Sequence, residues 1–267
     1  MHIHHTSTID LLELWLAKKI TPAALTWLKD KRSQISQGGL PKVFFTAFSA
    51  VLRYTGKQNL DLTPEDWELA QKARLGWSPM HWSVDQAART LLVLALPSAT
   101  FLQILEQAFT CADIGELVAL YQALPLIPHP EQLCDRAAEG VRSNITAVYN
   151  AIALRNPFPA EYFSDLTWNQ MILKALFLGS PLHLIFGLEK RRNLELAKML
   201  VDYAHERWAA KRPVSFELWW LVGKFATPAM LTDLEQVLAN SDPMQQAAGA
   251  LACVECPLPE AQRLLER

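Results

Sequence analysis

The stretch HWSVDQAARTLLVL, from His81 to Leu94, combines a helix start with a segment that is apolar on every side. Ser83 and Gln86 have the spacing of a capping box, in which two side chains bind exposed amides at a helix N-terminus. After Arg89, the residues Leu91 to Leu94 leave no polar face, which is typical of a helix in a protein interior. The stretch therefore predicts a buried helix that other helices must cover.

A second kind of helix start recurs along the chain as a Ser, Thr or Asp followed directly by proline. The side-chain oxygen can accept a hydrogen bond from an amide of the first turn, and proline fits the first helical position. Between these pairs, apolar residues recur at helical spacing with almost no strand-like alternation. The sequence therefore predicts an all-α fold of short helices. The six pairs are Thr21-Pro22, Thr63-Pro64, Ser78-Pro79, Ser180-Pro181, Thr227-Pro228 and Asp242-Pro243.

The predicted helices are expected to form an irregular array of antiparallel pairs in one domain over residues 1–267. Within it, residues 1–40 are a candidate peripheral helical segment. Residues 213–267 resemble a HEAT-type repeat, because amphipathic helices at 228–239 and 243–254 each need a neighbour to bury an apolar face. The same period does not align through the N-terminal part, so an irregular helical bundle is the alternative.

Composition argues against two classes of function. Hydrophobic residues make up 51% of the 267 residues, yet no apolar run reaches the roughly 18 residues that a membrane span needs. The surplus apolar residues must lie in a core, a partner interface or a pocket for an apolar ligand. A net charge of -2 and a pI near 6.4 argue against a surface that binds nucleic acid.

The cysteines and the N-terminal residues favour the cytoplasm. Residues 1–5 lack the basic region, apolar region and cleavage site of a signal peptide. Four cysteines fit a reducing compartment. Cys253 and Cys256 form one CxxC without a second pair or nearby histidines, so neither a zinc site nor another cofactor site is expected. His2, His4 and His5 are left out of the site prediction because chain ends fray.

Polar residues at positions where a helix should be apolar are candidate site residues, since an unpaired buried polar group costs about 1–3 kcal/mol. Asn144 is one, because a continuous helix over 130–154 would place it on a face with Val141 and Val148. Such a position needs a hydrogen-bonding partner. Alternatively, Ser143 or Asn144 caps a fresh helix.

The buried-helix stretch contains three further candidates. Asp85 and Arg89 have i, i+4 spacing for an ion pair. His81 lies at the entrance to the helix. Arg89 could bind a carboxylate or phosphate, although the ion pair with Asp85 satisfies its guanidinium more simply. Arg155 is expected to bind the last carbonyls of its helix before Pro157.

The second half of the chain contains the remaining candidates. Gln170 and Lys174, one turn apart and next to Asn169, either form a narrow wet stripe or point into a cavity, where desolvation would lower the pKa of Lys174. His183 follows a turn and is either a core residue or one wall of a site. His205 and Asp202 have i, i+3 metal-ligand spacing, but the neighbouring charges are more typical of a solvated helix face, so no metal is expected.

Several segments of the chain resemble those of the EboA family. The likeness covers about residues 40–255, and it implies a bacterial gene cluster that also encodes a prenyltransferase, a sugar-phosphate cyclase-like protein and TIM-barrel hydrolase-like proteins. Such clusters are associated with making or moving secondary metabolites, including scytonemin precursors in cyanobacteria. The resemblance implies no catalytic residues. The segments are HWSVDQAAR (81–89), GELVALY (115–121), ALRNP (153–157), WNQ to GSPLH (168–183) and DYAHERW (202–208).

These observations favour a helical-repeat binding or accessory protein that holds an apolar metabolite or a partner enzyme of the same cluster. The expected position of its groove is near Lys174 and His183. The alternative is a metal-independent enzyme that acts on a pathway intermediate. The chain lacks GxSxG, GxxxxGK[ST], HExxH and GxGxxG motifs, so an enzyme is the less favoured reading.

Overall fold

The computed structural model describes residues 7–266, which contain sixteen α-helices and no β-strand. The predicted all-α class is confirmed. His2, His4 and His5 lie outside the described residues. None of the described helices is long and apolar enough to cross a membrane. The chain forms two compact units, residues 1–163 and 164–267. The single domain expected from the sequence stays a prediction.

The first unit contains ten α-helices in its described part. They are Thr8–Lys19 (α1), Pro22–Ser36 (α2), Pro41–Thr55 (α3), Pro64–Ala73 (α4), Val84–Leu94 (α5), Phe101–Cys111 (α6), Ile114–Ala123 (α7), Cys134–Arg142 (α8), Thr146–Ala153 (α9) and Phe158–Tyr162 (α10).

The second unit contains six α-helices in its described part. They are Asp165–Leu178 (α11), Leu194–Ala209 (α12), Glu217–Gly223 (α13), Leu231–Leu238 (α14), Pro243–Glu255 (α15) and Pro259–Leu265 (α16).

Helix α5 is the centre of the first unit. It contacts α1, α2, α3 and α7. Nearly all its side chains from Val84 to Val93 are buried, which confirms the predicted interior helix. Trp15 and Leu16 of α1 are almost fully buried, so the described part of residues 1–40 contributes to this core. Burying this apolar surface is the main stabilising contribution of the fold.

The proline pairs start helices at three of the six predicted places. Thr21, Thr63 and Asp242 accept hydrogen bonds from first-turn amides of α2, α4 and α15. Thr227-Pro228 begins a 3-10 turn, Pro228–Met230, that leads into α14.

The other two proline pairs start no α-helix, so the prediction is wrong there. Ser180 instead ends a helix, because its amide donates to Ala175 O after the left-handed Gly179. A 3-10 turn, Leu182–Leu184, follows it. The amide of Ser78 donates to Arg155 O, and the chain bends through this pair before α5 begins.

The long helix predicted for 130–154 is also wrong, because a 3-10 turn, α8 and α9 replace it. Ser143 Oγ accepts the amide hydrogen of Ile145 at 3.1 Å, which is the kind of local bond that competes with helix continuation. Asn144 is exposed in this break and not on an apolar face. The alternative prediction, a new helix that starts after this break, agrees better with the structure. The residue directly before α9 is Ile145, however, and not Ser143 or Asn144.

Helix α15 is the centre of the second unit, where it contacts α13, α14 and α16. Small residues allow close approach: a Cβ added at Gly223 of α13 would lie 2.6 Å from Ala252 Cα of α15. Cys253 lies in the last turn of α15 and Cys256 directly follows this helix. Both thiols are buried, and burial raises the pKa of Cys253 to about 11. The HEAT-like repeat over 213–267 stays a prediction.

Candidate functional site

A cavity of about 210 Å³ opens in the first unit. Its wall is formed by the turn before α5, by α7, and by α9 with the segment that follows it. Three of the segments described above, 81–89, 115–121 and 153–157, meet at this cavity. We therefore treat it as the candidate site.

The turn before α5 is held by a set of backbone and amide hydrogen bonds. Gln71 Nε2 donates to Trp77 O at 2.6 Å, and Gln71 Oε1 accepts the amide hydrogen of Gly76 at 2.9 Å. Gly76 has a φ of 81°, a conformation that glycine adopts without strain. The amide of Leu60 donates to Trp82 O at 2.9 Å. Both tryptophans of this turn are thereby fixed at the cavity.

The exit from α9 is held by Asn156, whose side chain is buried. Its Nδ2 donates to Tyr121 O at 3.1 Å and to Ala151 O at 3.0 Å, while its Oδ1 accepts the amide hydrogen of Phe158. Arg155, next to it, has a φ of 54°, which is uncommon for a residue with a side chain. The Asn156 hydrogen bonds therefore fix the backbone from which Arg155 extends.

The apolar part of the cavity wall is aromatic on one side. The rings of Trp77 and Trp82 meet edge to face with centroids 5.8 Å apart. Val118, Ala151 and Leu154 add apolar surface to the lining, on α7, on α9 and at the end of α9. Such a wall suits a flat or apolar ligand body.

Two polar atoms of the cavity-lining residues are buried without a hydrogen bond from any described residue. They are Trp77 Nε1, a donor, and Gln122 Oε1, an acceptor. An unpaired buried polar group costs about 1–3 kcal/mol, so such atoms are rare in folded proteins. Solvent reaches neither atom, so both lie inside the wall and are not exposed in the cavity.

The titratable groups among the described lining residues are His81 and Arg155, and neither Asp nor Glu lines the cavity. Burial lowers the pKa of Arg155, although arginine stays charged in proteins. Burial and, secondly, the nearby Arg155 charge lower the pKa of His81. The cavity is therefore positively charged at neutral pH through Arg155, while His81 is neutral.

The expected role of Arg155 is wrong. Among the described residues, its guanidinium makes no hydrogen bond to a helical carbonyl and no ion pair. Arg155 lines the cavity instead, and its charge is close enough to the lining residue His81 to lower the pKa of that imidazole. The left-handed backbone at Arg155 ends α9 abruptly, and the Asn156 amide takes the role of binding the helix carbonyl, that of Ala151.

The ion pair predicted within α5 is present. Arg89 Nη1 lies 2.6 Å from Asp85 Oδ2, and both side chains are almost fully buried. Ser83 Oγ also donates to Asp85, and Arg89 Nε donates to Phe48 O. These groups satisfy one another, so Arg89 is not available to bind an anion.

The candidate residues of the second unit have different surroundings. Asn169 is buried and exchanges two hydrogen bonds with Asn193, the residue before α12. Gln170 is exposed on α11, and Lys174 is half-buried, which lowers its pKa. His183 is exposed in a 3-10 turn and is not a core residue.

His205 of α12 pairs with a residue of α14. Its Nε2 lies 2.6 Å from Asp233 Oδ1 of α14. Asp202 is exposed on α12, on whose surface Glu195 and Lys198 form an ion pair, as on a solvated helix face. No group of three or more His, Cys, Asp or Glu side chains within residues 7–266 is placed to hold a metal ion.

Of the nine predicted site residues, His81 lines the cavity. Trp77, Gln122 and Arg155 also line it and were not among the predicted residues. Arg155 carried a signal, because it lies in the segment 153–157 that resembles the EboA family. Trp77 and Gln122 carried none, since an aromatic residue after a glycine and a glutamine on a helix are common everywhere.

The comparisons with known proteins agree with the resemblance. The family model described as metabolite traffic protein EboA matches residues 8–223 of the 267. All residues that line the cavity lie within this match. No curated protein matches the chain. No solved structure matches it either.

Proposed function

The chain belongs to the EboA family, and on that premise we propose that it is a binding protein of metabolite traffic that holds a small molecule in the cavity of its first unit. The observation that carries this proposal is the cavity where three family-like segments meet, with the paired rings of Trp77 and Trp82 and the polar residues His81 and Arg155 in its lining. Specific small-molecule sites combine an apolar surface with a few polar groups in the same way.

The size of the cavity supports a small ligand. An apolar cavity of about 150 Å³ in another protein takes up benzene, and the cavity here measures about 210 Å³. It has room for one ring with a few further atoms. A larger metabolite would place one end in the cavity and leave the rest outside it.

The proposal moves the binding site away from the groove first expected near Lys174 and His183. It keeps the apolar metabolite as ligand and the proteins of the same gene cluster as partners that deliver or receive it. The cytoplasm is the expected compartment, on the basis of the cysteine composition.

A second proposal is an enzyme acting on the bound metabolite, and the favouring observation is His81 at the cavity wall. Burial and Arg155 lower the pKa of His81, so its imidazole is unprotonated at neutral pH and can accept a proton. Recovery of the bound compound distinguishes the two proposals: a binding protein returns it unchanged, whereas an enzyme converts it.

Ala147→Trp tests the binding proposal, because Ala147 is exposed, lines the cavity and is the second residue of α9. An indole at this position would fill the cavity mouth without entering the core. Ligand-observed NMR with a library of single-ring compounds, neutral and charged, measures binding. Compounds that bind the wild-type protein are expected to lose their signal with Ala147→Trp.

The matched control is Ala23→Trp, since Ala23 is the exposed second residue of α2 and does not line the cavity. It is expected to bind the same compounds as the wild-type protein. The proposal fails if no library compound binds the wild-type protein, or if Ala147→Trp binds them equally well.

A further inference from the structure

We propose that the cavity of the first unit is specific for a small organic anion, whose carboxylate or phosphate group pairs with Arg155 while its apolar body lies against Trp77 and Trp82. This inference rests on the proposed function and adds the chemical class of its ligand. It follows from two features of the cavity: an unpaired cation, and the absence of acidic residues among those that line it.

The unpaired cation is exceptional within the part of the chain that the structure describes. Among its arginines that are buried or half-buried, six pair with a carboxylate, and Arg207 donates to Pro213 O. Arg155 has neither kind of partner. The six paired residues are Arg32, Arg74, Arg89, Arg136, Arg191 and Arg192.

A shielded guanidinium without a counter-charge is costly, because removing a charge from water must be offset by a partner. Burial indeed lowers the pKa of Arg155, which reports this cost. The planar guanidinium binds a carboxylate or phosphate through two parallel hydrogen bonds. An incoming anion therefore supplies the partner that every comparable arginine finds within the protein.

Because no acidic side chain is among the described lining residues, the cavity favours anions over cations. His81 and Arg155 are the titratable residues of the described lining, and protonation of His81 adds a second positive charge. A cationic ligand would meet repulsion from Arg155 and find no carboxylate. A neutral ligand would leave the guanidinium unpaired.

The backbone of Arg155 is held in place before any ligand binds. Asn156 fixes the backbone beside it through three hydrogen bonds, and Arg155 O accepts the amide hydrogen of Ser78 at 3.2 Å. Binding then has to order the Arg155 side chain and not the chain that carries it, which favours affinity.

The test compares benzoate with benzamide, which has nearly the same shape and no charge. Titration calorimetry with the full chain is expected to show benzoate binding at least about tenfold more tightly than benzamide, as for a hydrogen bond to a charged group. Phenyl phosphate in the same assay distinguishes a phosphate site from a carboxylate site.

Two variants of Arg155 test whether this residue causes the preference for benzoate over benzamide. Arg155→Gln removes the charge and is expected to abolish the preference for benzoate, whereas Arg155→Lys keeps part of it. A melting temperature that does not fall and unchanged benzamide binding show that the variants are folded and the cavity is intact. The inference is wrong if benzamide binds the wild-type protein as tightly as benzoate, or if Arg155→Gln keeps the preference.

Failure of this inference is distinguishable from failure of the proposed function. Neutral compounds that bind in the cavity, and are displaced in Ala147→Trp, would leave the binding function standing and remove only the anion. If neither neutral nor charged compounds bind the wild-type protein, both proposals fail.

Discussion

At the scale of single residues, the same residue type has opposite roles at two places in the first unit. Arg89 is buried and satisfied, since Asp85, Phe48 O and the Phe48 ring surround its guanidinium. Arg155 is half-buried and has no such partners among the described residues. The difference arises from spacing: Arg89 has an acidic residue one helical turn before it, whereas Arg155 follows the end of α9.

The sequence could predict the first arginine and not the second. An i, i+4 pair within one helix is local, so Asp85 and Arg89 follow from the spacing alone. The surroundings of Arg155 depend on the turn at 76–83 and on α7, which are distant in sequence. His81 was predicted because it adjoins the helix start, a local signal, and Trp77 and Gln122 had no local signal.

Anion binding at the cavity is expected to depend on pH through His81. A bound carboxylate favours the protonated imidazole, so benzoate affinity should rise as the pH falls from 8 to about 5.5, where benzoate stays ionised. Arg155 keeps its charge over this range. The stability of the free protein depends on pH in the opposite direction. The pKa of His81 is lowered in the folded protein, so its contribution to stability declines as the pH falls below about 6.5.

The control for this pH dependence is His81→Asn, which keeps hydrogen-bonding capacity and does not titrate. Calorimetric titrations at several pH values should give a nearly constant benzoate affinity for this variant. A wild-type affinity that is constant, or that falls with decreasing pH, would contradict the role assigned to His81.

At the scale of helices, the predicted helix starts are correct where a single capping residue determines the start. Thr21, Thr63 and Asp242 cap α2, α4 and α15 where the proline pairs predict helix starts, and α5 begins directly after Ser83. The failures at Ser78 and Ser180 have a common physical reason. Both amides bind carbonyls outside the element that the proline pair was expected to start.

Close approach of α13 and α15 depends on Gly223. A methyl group there would meet the backbone of Ala252, which cannot rotate away, so Gly223→Ala should destabilise the second unit by about 1–3 kcal/mol. Chemical denaturation followed by tryptophan fluorescence measures the loss, because Trp219 lies on α13.

The matched control is Gly115→Ala in α7, where the nearest atom to an added Cβ is Asp113 Oδ1 at 3.4 Å. Alanine has the higher helix propensity, so this variant should be neutral or gain up to about 1 kcal/mol. Equal stability of the two variants would show that the close contact at Gly223 has no energetic consequence.

At the scale of the molecule, fold class and family could be read from the sequence because both rest on patterns spread over the chain. Helical periodicity predicts the all-α class, and the family-like segments extend across most of residues 40–255. The candidate site could not be predicted as a whole, since three separate segments form one cavity only after folding. Binding of a metabolite within the first unit is the central claim that follows.

The indole N–H resonances of the nine tryptophans test this claim most directly. The protein is labelled with ¹⁵N-tryptophan, the signals are assigned by single Trp→Phe variants, and benzoate is titrated. If benzoate binds in the cavity of the first unit, the Trp77 and Trp82 signals move with benzoate concentration while those of Trp208 and Trp219 in the second unit stay fixed. Unmoved Trp77 and Trp82 signals, or shifts confined to the second unit, would contradict the claim.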